Sequence, residues 1–120
     1  MIKNFSGVNI SSKEPERLVS FYKDILGIPI ISEEISEYDG VAFGFIKDAP
    51  VFCIWDENKW GKARNSQGPI CLVFDCDNHE KTYAELKAKG VSLEPPNTVP
   101  WGGEKELFVK DPDGNTVYIL

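Results

Sequence analysis

The chain is poor in the residues that would fasten, anchor or metallate it. Its three cysteines, Cys53, Cys71 and Cys76, form no C-x-x-C pair and leave one unmatched. That argues against a disulfide framework and suits a reducing compartment. No apolar run approaches the roughly 20 residues a membrane helix needs, and Met1-Ile2-Lys3-Asn4 opens no signal-peptide core. The expected compartment is therefore the cytoplasm, with no membrane partner. Basic residues are outnumbered, 13 Lys and Arg against 19 Asp and Glu, for a formal charge of −6. Such a chain repels nucleic acid and anionic lipid, both of which demand a basic footprint. A neutral or cationic small molecule is easier to accommodate, although net charge by itself reports solubility before it reports partners.

What is present suits one compact soluble domain. At 120 residues, 42% hydrophobic and 27% charged, the chain can bury one core but not two full-sized ones. Phe5 to Ile10 alternates weakly, as a first strand would. Pro15 then suits the first position of a helix, and Leu18, Phe21, Tyr22, Ile25 and Leu26 form its apolar stripe. Gly27 is placed to stop it in a left-handed conformation. Three strands are expected at Pro29–Ser36, Gly40–Lys47 and Val51–Asp56, punctuated by Asp39-Gly40 and Lys47-Asp48-Ala49-Pro50. The stretch from Asp56 to Pro69 is polar and without period, as a linking loop would be. The pattern then restarts. Ile70–Cys76 reads as a strand, and Asp77-x-x-Glu80 as a capping box opening a helix through Tyr83 and Leu86 that stops at Gly90. Strands follow near Val91–Glu94, Lys105–Lys110 and Thr116–Leu120.

Two phrases at opposite ends of the chain carry a family likeness. Phe21-Tyr22-Lys23-Asp24-Ile25-Leu26-Gly27 ends the first helix, and Phe108-Val109-Lys110-Asp111-Pro112-Asp113-Gly114-Asn115-Thr116-Val117-Tyr118 is a strand, a tight turn and a final strand. In that order, with a duplicated strand–helix–strands pattern between them, they resemble the vicinal-oxygen-chelate superfamily of glyoxalases, ring-cleaving dioxygenases and bleomycin-resistance proteins. The resemblance implies an α+β fold: two βαβββ modules whose curved mixed sheet surrounds a cleft. One domain would cover 1–120, with a first module over about 1–57, a loop over 58–68 and a second module over about 69–120.

The resemblance also implies where a divalent metal would be held, on the first and last strands of each module. Counted from the matched phrases, those positions fall on Gly7, Cys71 and Tyr118, with Phe52, Cys53 or Ile54 for the fourth. Catalytic zinc, nickel, iron or manganese wants three or four imidazole and carboxylate donors plus an open position. Glycine offers none, so neither a metal nor any other cofactor is expected. His79, in the first turn of the second helix, is expected to be solvated. The cysteines are expected to be small buried hydrophobes rather than nucleophiles.

Aromatic residues take the place of donors. Phe43 and Phe45, two apart, share a strand face, as do Phe52 and Ile54. Trp55 and Trp60 flank the start of the loop, and Trp101 sits in Pro100-Trp101-Gly102-Gly103. A ligand-binding set is therefore expected from Asn9, Phe43, Phe45, Phe52, Trp55, Trp60, Cys71, Asp75, Trp101, Glu104 and Tyr118. Loop tryptophans in polar company suit stacking on planar ligands, and the acidic Asp75 and Glu104 would favour a cation. Each also has a plainer reading, core packing for the phenylalanines and a backbone hydrogen bond for Asp75. The resulting expectation is a metal-free binding module like the drug-sequestering members, completed as a homodimer. The competing readings are a glyoxalase-type lyase or isomerase with atypical ligands or metal-free acid–base catalysis, and a scaffold with a vestigial cleft.

Overall fold

The computed structural model describes residues 1, 7–32, 40–46, 49–60, 71–98 and 105–120. The chain divides into two compact units, Met1–Gly68 and Pro69–Leu120. Each unit contains one four-stranded mixed sheet with a helix on one face, an α+β arrangement.

The first unit runs β1 (Gly7–Ser12), α1 (Pro15–Ser20), β2 (Ile30–Ser32), β3 (Val41–Phe43), β4 (Val51–Asp56) and the one-turn α2 (Glu57–Trp60). Its sheet order is β1-β4-β3-β2, with β1 parallel to β4 and the remaining pairs antiparallel. β1 runs two residues past the expected Ile10, because its parallel ladder continues to Ser12 opposite Asp56. Ser12 is buried, and its Oγ accepts from Glu14 N–H at 3.1 Å, turning the chain into α1 just before Pro15. The expected helix is not α-helical throughout. From Phe21 to Ile25 it widens into a π turn in which Leu26 N–H donates to Phe21 O at 3.0 Å. Gly27 then ends it at φ 70°.

The core of this unit lies between helix and sheet. Leu18, Phe21, Tyr22, Ile28, Phe43, Phe52 and Ile54 are all buried. Phe43 and Phe52 stack at 4.9 Å and 7°, and Tyr22 meets Phe52 edge-on at 5.0 Å. Fully burying a side chain of this size stabilises by about 1.5–3 kcal/mol, with about 0.5–1.5 kcal/mol more for each aromatic pair.

The second unit repeats the plan: β5 (Cys71–Phe74), α3 (His79–Ala88), β6 (Asn97–Thr98), β7 (Lys105–Lys110) and β8 (Thr116–Ile119), in sheet order β5-β8-β7-β6. β5 is parallel to β8, and the other pairs are antiparallel. The cap of α3 is Asn78, not the expected Asp77, because the helix begins at His79 and Asn78 Oδ1 accepts from Lys81 N–H at 2.9 Å. Its other end is a Schellman turn: Val91 N–H reaches Leu86 O and Gly90 N–H reaches Lys87 O, both at 3.0 Å, with Gly90 at φ 83°. The strand expected at Val91–Glu94 is absent, and pairing starts only at Asn97. Pro95 and Pro96 have no N–H to give to a ladder.

The Asp-Pro-Asp-Gly-Asn turn before β8 is organised by a buried carboxylate. Asp111 Oδ1 accepts from Asp113 N–H at 2.9 Å and Asn115 N–H at 2.8 Å, while Asn115 Nδ2 donates to Asp111 Oδ2 at 2.8 Å. Among the described residues no helix is long and apolar enough to cross a membrane.

Candidate functional site

Strand alternation gives each sheet a helix side and an open side. In the first unit Val8, Ile10, Phe52 and Ile54 turn to the helix, so the open face carries Gly7, Asn9 and Ser11 from β1 and Val51, Cys53 and Trp55 from β4. Trp55 is fixed there by two contacts. Its Nε1–H donates to Asn9 Oδ1 at 3.0 Å, and its ring lies over Gly40, where a Cβ would come within 2.7 Å of Cε3 and Cζ3. A half-buried indole with its polar handle satisfied is a rigid stacking surface. Asn9 keeps its Nδ2 donors for another partner.

In the second unit Leu72, Leu107, Val109, Val117 and Ile119 turn to the helix side and are buried. The open face presents Cys71 and Val73 from β5, Thr116 and Tyr118 from β8, and Glu106, Phe108 and Lys110 from β7. Val73, Tyr118 and Phe108 sit side by side in register across three strands. Phe108 meets Tyr118 edge-on, centroids 4.6 Å apart at 82°, and is still 46% exposed.

Of the residues expected at the site, Asn9 with Trp55 and Cys71 with Tyr118 are brought onto open faces. Asp75 follows β5 on the same parity as Cys71 and is exposed. Phe43 and Phe52 instead belong to the core. Their register opposite one another turns both towards Tyr22 on the helix side, away from the face that holds Trp55. Phe45 does not share a strand face with Phe43, because β3 ends at Phe43 and Phe45 stands 67% exposed beyond it. Trp101, Glu104 and the side chain of Trp60 lie outside the described residues. His79 is less solvated than expected, since its Nε2 is buried with no hydrogen-bond partner among the described residues.

Glu106, Phe108 and Val73 escaped the sequence reading. Leu107-Phe108-Val109 is continuously apolar, so alternation could not say which of the three turns outward. Only the flanking charges at Glu106 and Lys110 hint that Phe108 does.

The positions where related chains would hold a metal are also open-face positions, and here they do not fit an ion. Gly7, at φ 154°, has no donor and no room for one: a Cβ would lie 2.0 Å from Val51 O. The β4 position on that face is Cys53, and burial pushes its thiol pKa up, away from the thiolate that binds metal. Cys71 and Tyr118 complete the set. Among the described residues no group of three or more His, Cys, Asp or Glu could hold a metal ion.

Residues 5–119 match the model of the Glyoxalase/Bleomycin resistance protein/Dioxygenase superfamily. The chain belongs to that superfamily. The uncharacterized protein YraH of Bacillus subtilis (strain 168) is 30% identical over 112 residues, which cover 87% of each chain. Among solved structures it resembles TnmS3, an antibiotic binding protein from Streptomyces sp. CB03234, with TM-score 0.75 and 18% identity over 98% of this chain and 94% of that one. It also resembles lactoylglutathione lyase from Agrobacterium tumefaciens, with TM-score 0.72 and 16% identity over 98% and 92%. At such identities these structures share the superfamily fold. Binding protein and enzyme match about equally well, so the fold alone does not choose a function.

Proposed function

We propose that this protein is a small-molecule binding member of the superfamily, one that holds a planar, aromatic compound by stacking on its open sheet faces. The observation that carries this reading is the pair of aromatic stations: Trp55 tethered to Asn9, and Phe108 set edge-on to Tyr118 while still exposed. Stacking surfaces held rigid before binding lose little conformational entropy when the ligand arrives. Sequestration needs affinity alone, so the poor metal donor set is no obstacle to it. The likeness to an antibiotic binding protein supports the same reading.

We also propose a homodimer. Strands β2 and β6 edge their sheets, and Phe45 and Ile46 stand 67% and 69% exposed. Sedimentation as a monomer at micromolar concentration would refute it. Three free cysteines and the acidic surface agree with a cytoplasmic location.

The deciding experiment is a thermal-shift screen of planar compounds with and without divalent metals, since a ligand bound to the native state raises apparent stability by mass action. Stabilisation by planar compounds without metal, with quenching of tryptophan fluorescence, supports binding. Stoichiometric zinc, nickel or iron in the purified protein would turn the assignment to a lyase or isomerase.

A further inference from the structure

We propose that the open face of the second sheet selects planar cations, and that Glu106 is the charge that recognises them; this rests on the binding function proposed above. Glu106, Phe108 and Lys110 share that face of β7. Glu106 Oε2 is buried and, among the described residues, has no hydrogen-bond partner. A carboxylate with one oxygen shut away from water and unbonded is costly to the free protein, and a cation that reaches the carboxylate from the open face recovers part of that cost.

The lysines of the same strand do not supply that donor. Lys105 lies on the helix side and is bonded to Glu80. Lys110, at the far end of the row, donates to Thr116 Oγ1 at 2.5 Å. Phe108 lies between Glu106 and Lys110, two residues from each and thus about 7 Å along the strand. A flat ring stacked on Phe108, walled on one side by Tyr118, places a positive centre one ring-width away near Glu106. An anionic ring would meet the carboxylate at that end and gain nothing. The occupant is therefore a planar aromatic cation, held by stacking, cation–π attraction and one charge-assisted contact.

The test uses an isosteric pair, N-methylacridinium and acridine, titrated by fluorescence in mildly alkaline buffer where acridine is neutral. The intact protein is expected to prefer the cation by about tenfold, the scale of one close charge–charge attraction at a partly buried site. Glu106→Gln is expected to bring the two affinities together by weakening only the cation. Phe108→Ala is expected to weaken both. Without ligand, Glu106→Gln is expected to keep or raise the melting temperature, since a neutral amide replaces an unpaired carboxylate. Equal affinities in the intact protein, or a cation preference that survives Glu106→Gln, overturn the charge selection while leaving planar binding in place. Binding of neither probe overturns both this inference and the function it rests on. A marked loss of melting temperature in Glu106→Gln would show a structural role instead. Conversion of a dimer to a monomer by Phe108→Ala would give this face to a second copy and end the proposal.

Discussion

The two units share one plan and use it differently. Both order their strands with the first beside the last, and both close their main helix on a glycine at positive φ. Both also bury an almost wholly apolar helix side. Their open faces have little in common. The first is glycine at Gly7, Gly40 and Gly44, with a tied tryptophan and a buried Cys53. The second is broad, aromatic and exposed, with charge at both ends of β7. A repeated fold thus needs only a repeated apolar pattern on one side of each sheet. The other side is free to vary.

That contrast can be tested by substitution, in both units alike. Phe43→Ala in the first unit and Leu107→Ala in the second both strike fully buried positions on the helix side of a sheet. Each is expected to cost about 2–5 kcal/mol in chemical denaturation. A much smaller loss in either would mean that the two helix sides are not equivalent. Gly7→Ala comes next, at about 1–3 kcal/mol, because its Cβ must displace the Val51 carbonyl. Gly7→His should lose as much and gain no nickel or zinc by calorimetry; a variant that stays stable and takes up metal would remove the steric barrier. Trp55→Phe keeps the ring but loses the bond to Asn9, for about 0.5–1.5 kcal/mol and weaker binding of planar ligands.

Phe108→Ala should cost only about 0.5–1.5 kcal/mol, the worth of its edge-on contact with Tyr118, although it weakens ligand binding. A loss matching Phe43→Ala would mean that the second open face is core. The smallest effect is a dependence on pH. Burial raises the pKa of Cys53, so in alkali the unfolded chain releases that proton before the folded one does. Stability from this source is intact below the ordinary thiol pKa and falls as pH rises beyond it. At neutral pH the same burial makes Cys53 slower to alkylate than exposed Cys71, which peptide mass spectrometry resolves.

Much of the fold was legible in the sequence because it rests on local signals. Pro15, Gly27 and Gly90 mark helix ends that backbone geometry requires, and Asp111 to Asn115 is a turn whose side chains bond their own backbone. At Val91–Glu94 the sequence suggests a strand that the structure does not form, and pairing begins only after Pro95 and Pro96. The site was less legible. Alternation shows that Phe43 and Phe52 point opposite to their neighbours, but only pairing with Tyr22 shows which side is the core. Glu106 could not be read at all, since an unpaired buried oxygen is a property of packing rather than of sequence.

Gly7 sets how closely the first sheet's parallel pair can approach. Any larger residue there would have to prise β1 away from the carbonyl it rests against, losing stability before a new side chain could do any chemistry. One absent methyl thus decides what that corner of the sheet can carry, and a donor atom could enter it only if the backbone around it were rebuilt.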